Sequence, residues 1–262
     1  MPDFLKYIFL GFLQGATEFL PVSSSGHLTI FSRFLNVPLN EESKAAFFTV
    51  LHLATFFAVL VFTYRDIWLI LSKLADRKDR KNSLRYILLL LVATIPAVVF
   101  GFLFEEKIEA LFSDAWLASA MLFVTAFVLL ISDMFKGKRR VLQLSIAGAL
   151  SIGLFQAIAI VPGISRSGMT IFGALLVGLA RSESVRFSFL LSLPVTLGAG
   201  ILKLSSVDLP LTTVLPAAIV AFVTGLFGLW LVKLLVLKGR LRFFGIYCII
   251  VGTVGLIILG VM

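Results

Sequence analysis

Three ionisable side chains, Glu18, His27 and Arg166, sit in otherwise apolar stretches of the chain, where an uncompensated charge is expensive. Each is therefore a candidate for chemistry. Gln14 and Glu18 are four residues apart and share one helical face, so a carboxylate and an amide oxygen can point together into a cavity. Such oxygens suit a hard divalent cation. The segment Pro21-Val22-Ser23-Ser24-Ser25-Gly26-His27 places three hydroxyls and a glycine just before a helix start, where free backbone N–H groups favour an anion. The segment Pro162-Gly163-Ile164-Ser165-Arg166-Ser167-Gly168-Met169-Thr170 adds a guanidinium, whose planar fork suits phosphate oxygens. His27 follows Ser24 by three residues and could act as general base to that hydroxyl or as general acid to a leaving group, with Glu18 orienting it or binding metal. His52 reads as a packed histidine of lower priority, because its counterpart in the repeat described below is Ser192. Trp68, Trp116 and Trp230 lie near span ends and read as interfacial anchors.

What must position these residues is a membrane. Of 262 residues, 60% are hydrophobic and 14% charged, with a mean hydropathy of +1.07. A soluble domain would carry about 45–50% apolar and about 25% charged residues, so a water-facing globule is excluded. The net charge of +9 is assigned to basic cytoplasmic loops, and no nucleic acid is implied. The single cysteine, Cys248, excludes a disulfide scaffold and a cysteine zinc site. The N-terminus has no small-residue cleavage site after its apolar run and does not read as a removable signal peptide.

A spanning helix needs about 20 apolar residues. Six stretches qualify or nearly do: Ala45 to Tyr64, Tyr86 to Phe104, Ala115 to Ser132, Phe187 to Leu202, Leu209 to Val232 and Phe243 to Met262. The regions around Glu18 and Arg166 are interrupted by polar turns, and each reads as a re-entrant helix hairpin. Pro21 to Phe31 overlays on Pro162 to Phe172 with five identities, Gly11 to Gln14 matches Gly153 to Gln156 within a one-residue gap, and Phe47 to Leu53 follows Phe187 to Leu193. The chain therefore reads as duplicated.

The fold expected is all-α and integral to the membrane, with an inverted-topology repeat in one membrane domain. The first repeat is 1–135, with a hairpin at 4–36 and spans at 45–64, 86–104 and 115–132. The second is 136–262, with a hairpin at 143–180 and spans at 184–204, 209–235 and 243–262. Three crossings per half turn the second half upside down. Loop charges agree: Arg65, Lys73, Arg77, Lys78, Arg80, Lys81 and Arg85 follow the first span, whereas Ser205 to Leu211 carries Asp208 and no base. The next pair reverses, with Glu105, Glu106, Glu109 and Asp114 around Lys107 against Lys238, Arg240 and Arg242. The positive-inside rule then puts both termini outside, with Lys136 to Arg140 cytoplasmic. The two hairpins meet near the midplane.

The two segments, Gln14 to His27 and Pro162 to Thr170, resemble the signature motifs of the bacterial undecaprenyl pyrophosphate phosphatase (bacitracin-resistance) family, and the likeness runs along essentially the whole chain. The resemblance implies a multi-pass enzyme of the bacterial inner membrane, with its active site reached from the outer face, that removes the terminal phosphate of undecaprenyl diphosphate with a divalent metal. The family's first motif has Glu or Gln, three residues, then Glu; this chain uses Gln14 with Glu18. Its serine, histidine and arginine-bearing motif fall on Ser24, His27 and on Ser165, Arg166 and Thr170. The catalytic set expected is Glu18, Ser24, His27 and Arg166. Ser23, Ser25, Gly26, Ser165, Arg166, Ser167 and Thr170 are expected to bind phosphate, and Glu18 with Gln14 a Mg²⁺ or Ca²⁺. The nucleophile is Ser24 or a water activated by His27. Partners expected are the polyprenyl diphosphate and the bilayer, with a homodimer left open. The alternative reading is a transporter or flippase of a phosphorylated lipid or small anion, since inverted repeats with broken helices also build transporters.

Overall fold

The computed structural model describes residues 2–203 and 210–261, and among these the secondary structure is helical. The order is α1 (Asp3–Glu18), α2 (Ser24–Phe34), α3 (Glu41–Phe62), α4 (Tyr64–Ala75), α5 (Arg80–Leu103), α6 (Glu105–Leu111), α7 (Ala115–Ser132), α8 (Ile146–Ile158), α9 (Arg166–Leu176), α10 (Arg181–Lys203), α11 (Leu211–Leu237) and α12 (Leu241–Val261). A 3-10 turn at Val141–Gln143 precedes α8.

Six of these helices, α3, α5, α7, α10, α11 and α12, are long and apolar enough to cross a bilayer. They match the six expected spans, but several start earlier. Helix α5 begins at Arg80 and α10 at Arg181, because long basic side chains can head a spanning helix and still reach water. Four others are too short to cross. At 16, 11, 13 and 11 residues, α1, α2, α8 and α9 measure about 24, 17, 20 and 17 Å at 1.5 Å per residue, less than a hydrocarbon core of about 30 Å. They form two helix–turn–helix hairpins with tips at 19–23 and 159–165. Two further helices, α4 and α6, lie in stretches whose charges read as loops. In α4 the apolar positions recur at helical spacing among Arg65, Asp66 and Lys73, so charge does not preclude a helix; it only precludes a span. Most of the expected acidic loop, Ser205 to Leu211, falls outside the described residues.

The molecule is inside out relative to a soluble one. Phe57, Leu88, Val223 and Ile250 are about half exposed, while the interior holds Gln14, Glu18, Ser24, His27 and Thr55. Lipid supplies no hydrophobic force between helices, so close packing and interhelical hydrogen bonds hold them. Helix α1 lies along α11, and α8 along α5. A Cβ at Gly11 would strike the Ala217 carbonyl of α11, and one at Gly153 would strike the Ala93 carbonyl of α5. Each hairpin's first helix thus packs through a glycine on a long helix distant in sequence. Helix α3 also packs on α10, and α7 on α12. Trp68, Trp116 and Trp230 are all more than half exposed, as expected of anchors.

Candidate active site

The two hairpin tips touch backbone to backbone. A Cβ on Gly26 would come within 2.8 Å of Gly163 Cα, and one on Gly168 within 3.4 Å of the Pro21 side chain. Two bonds fix the second tip from below, Thr125 Oγ1 donating to the Gly163 carbonyl at 2.7 Å and accepting from the Ser165 amide at 2.9 Å. Ser167 Oγ reaches across to the Leu20 carbonyl at 3.2 Å. Two residues take left-handed backbone at the tips, Ser23 with φ 68° and Gly163 with φ 93°. Glycine adopts that region without strain; Ser23 is held there by its own bonds.

Those bonds are helix caps. Ser23 Oγ accepts from the Gly26 amide at 3.3 Å and Ser165 Oγ from the Gly168 amide at 3.1 Å, satisfying one orphan donor at the start of α2 and of α9. Ser23 Oγ also meets Ser25 Oγ, and Ser165 Oγ meets Ser167 Oγ, each at 3.2 Å. The His27 and Met169 amides close the first turns on the carbonyls of Ser23 and Ser165, at 3.1 and 2.9 Å. This corrects the gap-free overlay of the two motifs by one residue: the capping serines Ser23 and Ser165 correspond, and so do Ser24 and Arg166, the first residues of their helices. In the expected phosphate cradle, then, Ser23 and Ser165 accept from the Gly26 and Gly168 amides, with Ser25 and Ser167 beside them. Thr170 Oγ1 is likewise occupied, 2.6 Å from Ser188 Oγ.

The corresponding residues Ser24 and Arg166 close on one carboxylate. Glu18, at the C-terminal end of α1 and 7% exposed, accepts from Ser24 Oγ at 2.5 Å on Oε2 and pairs with Arg166 Nη2 through Oε1. Arg166 Nη1 donates to Thr196 on α10 at 2.8 Å. The same Oε2 lies 3.0 Å from Gln14 Nε2 and 3.3 Å from His52 Nδ1 on α3. A narrow cleft opens here, lined by Glu18, Phe19, Arg166, Ser167, Thr170, Ser188, Phe189 and Ser192. Glu18, Ser24, Gln14 and Arg166 are therefore brought together.

His27 is not joined to them. It is fully buried, with Nδ1 2.7 Å from the Ser23 carbonyl and Nε2 2.9 Å from Tyr247 Oη, and its ring stacks on Tyr247. Both ring nitrogens are used, so the expected His27–Ser24 proton relay does not form; Glu18 stands where that base was expected. Conversely, His52 touches Glu18 despite its low priority, and its counterpart Ser192 lines the same cleft. The sequence signal for this pair is two polar residues at matched positions of two spans. Ser188, Ser192 and Thr196 recur every fourth residue and give α10 a polar stripe, which a search for charges passes over.

The donor chemistry suits a hard cation. Gln14 is fully buried, its Nε2 donates to Glu18 Oε2, and its Oε1 finds no hydrogen-bond partner among the described residues. Among those residues no three His, Cys, Asp or Glu side chains cluster as a metal site.

The family model described as bacitracin resistance protein BacA matches residues 7–254. Among curated proteins, the chain is 46% identical over 95% of its length to an undecaprenyl-diphosphatase of Thermosipho africanus, covering 98% of that protein. It is 42% identical to one of Thermosipho melanesiensis, over 97% of this chain and 99% of that one. The undecaprenyl-diphosphatase of Methanococcus maripaludis strain C6 is also 42% identical, over 94% and 96%. With both motifs and nearly all of the hairpins and spans inside the matched region, this chain belongs to the bacitracin resistance protein BacA family.

Proposed function

We propose that the chain hydrolyses undecaprenyl diphosphate to undecaprenyl phosphate and inorganic phosphate, and so recycles the lipid carrier of cell-wall synthesis. The observation that carries this reading is the single carboxylate, Glu18, gripped by Ser24 and Arg166 from two hairpins that meet between the spans. The substrate is taken from the relatives' name, and its chemistry fits. Phosphoryl transfer needs negative charge neutralised on the transferring group and a nucleophile held in line. The Arg166 guanidinium supplies the first by turning its fork from Glu18 to the phosphate oxygens.

The second comes from Ser24 Oγ, or from a water held beside it, with the Glu18 carboxylate 2.5 Å away as proton acceptor. The bond broken is the anhydride P–O bond, and undecaprenyl phosphate leaves; on the Ser24 route the phosphoryl group stays on Oγ until a water hydrolyses that ester to inorganic phosphate and frees the serine, and on the water route inorganic phosphate forms directly. Gln14 and Glu18 would hold a Mg²⁺ or Ca²⁺, which when bound supplies further charge neutralisation on the phosphoryl oxygens. His27 acts through the tip, locking the Ser23 carbonyl and hence the start of α2. An apolar tail needs lipid or a helix groove, which accounts for so greasy a hydrolase.

The two halves are placed upside down to one another, with the cleft reached from the outer side of the cell membrane. The opposed loop charges and the exchanged packing of α1 on α11 and α8 on α5 support this arrangement.

The deciding test uses purified protein in detergent micelles with a polyprenyl diphosphate, with and without chelator. Release of inorganic phosphate, lost on chelation, is expected. A carrier has no gradient to use in a micelle and would release none, so absence of phosphate would return the reading to a transporter.

A further inference from the structure

Helix α4 turns off the end of α3 at Thr63, and none of its residues is fully buried. At 12 residues it measures about 18 Å, too short to cross a bilayer. Its two flanks differ. One is fastened to the bundle: Ile67 and Ile70 pack against the cluster that holds Tyr86 and Leu89 of α5, and Asp66 pairs with Arg186 of α10 at 2.9 Å. The other is bare, with Trp68 71% exposed and Tyr64 and Leu71 each more than half exposed. Leu60 from the last turn of α3, with Tyr64, Ile67, Trp68 and Leu71, lines a groove of about 460 Å³, within the range of about 300–1,000 Å³ usual for ligand sites. Tyrosine and tryptophan favour the head-group layer, so this groove lies where acyl chains meet phosphates.

Arg65 stands at the rim. Its Nε donates to Tyr64 Oη at 2.7 Å and its guanidinium lies 5.6 Å from the Tyr64 ring centre, while neither Nη has a partner among the described residues. The neighbouring charges leave it free: Asp66 is held by Arg186, and Lys73 pairs with Asp79 at 3.2 Å. From 64 to 85 the chain carries seven Lys and Arg against three Asp, so the segment as a whole attracts anions. We propose that the groove binds an anionic phospholipid, with an acyl chain along Leu60, Trp68 and Leu71 and the phosphate on the two Nη groups of Arg65, whose fork suits it bidentately. Lipid covers the whole apolar surface of such a protein. What sets this place apart is a guanidinium held over an aromatic groove with two donor groups unoccupied, in a segment of net positive charge. A zwitterionic lipid offers the same phosphate and gains nothing from that net charge. The matching stretch of the second half, Ser205 to Leu211, carries Asp208 and no base, so the sequence provides for one such site. None of these residues belongs to the cleft, and the inference is independent of the reaction proposed above.

Trp68 reports the occupant directly, because bromine on an acyl chain quenches an indole that touches it. The chain has three tryptophans, so Trp116→Phe with Trp230→Phe leaves Trp68 as the single indole. This full-length protein is reconstituted into phosphatidylcholine vesicles, and either phosphatidylglycerol or phosphatidylcholine brominated in its acyl chains is titrated in. Half-maximal quenching is expected at about fivefold lower mole fraction of the phosphatidylglycerol, the scale of one basic residue beside an anionic lipid. The difference should vanish in Arg65→Gln and survive in Lys78→Gln, which removes an equal charge away from the groove. The comparison of the two lipids needs no change at Arg65, so a misfolded variant cannot hide the answer. Equal quenching by both lipids, or a preference unchanged in Arg65→Gln, overturns the head-group assignment. No quenching by either lipid means that something else, such as a second copy of the chain, covers the groove, and overturns the site as a whole.

Discussion

At the level of single residues, Glu18 carries more than one carboxylate usually does: it faces a guanidinium, a hydroxyl, an imidazole and an amide at once. Removing Arg166 therefore has two separable effects. Arg166→Ala is expected to cut phosphate release about 100-fold or more, the scale of losing one preorganised charge at a transition state. It should also lower thermal stability in detergent, because a buried carboxylate left without its partner costs roughly 3–5 kcal/mol. Adding Glu18→Gln to Arg166→Ala should recover the melting temperature and none of the activity. Phosphate release near wild type in the folded Arg166→Ala protein would remove the guanidinium from the mechanism. Arg166→Lys should fall between, since an ammonium keeps the charge and loses the planar fork that reaches Thr196 as well.

Among elements, the hairpin tips depend on caps and the hairpin stems on small residues. Ser165→Ala should cost about 1 kcal/mol of stability by leaving the Gly168 amide unmet, with KM for the lipid nearly unchanged, and Ser165→Thr should restore it. A large rise in KM without loss of stability would instead make Ser165 a phosphate ligand. In the stems, a Cβ at Gly15 would meet the Ala221 carbonyl and the Gly225 amide, so Gly15→Val must push α1 off α11 and lower the melting temperature by several degrees. Gly101 in α5 meets nothing within 4 Å, and Gly101→Ala should be neutral or stabilising by up to about 1 kcal/mol, through helix propensity alone. Differential scanning fluorimetry of the pair separates close packing from propensity.

For the whole molecule, the proposed inversion of the two halves predicts which loops share a side. Cys248 is fully buried, which leaves a quiet background for added cysteines. Cysteines placed at Lys138 and Lys238 should react with a membrane-impermeant thiol reagent only after the cells are opened, and one at Lys107 should react on intact cells. Labelling of all three from the same side would rule out the inversion and leave the site geometry untouched.

Composition and charge spacing settled the class of fold, because membrane insertion is read from hydropathy summed over about 20 residues and needs no tertiary contact. The polar turns likewise announced themselves, since buried polar backbone survives only where something satisfies it. Gln14, Glu18, Ser24 and Arg166 could be singled out one by one on the same grounds. What folding alone decided was pairing. A sequence lists His27 three places from Ser24, but the direction of each side chain off α2 sends that imidazole to Tyr247 of α12 and the hydroxyl to Glu18. His52, Ser192 and Thr196 reach the site from spans far along the chain, and Arg166 meets a carboxylate 148 residues away. Contacts of that range follow from how helices cross in three dimensions, a quantity no local pattern of residues encodes.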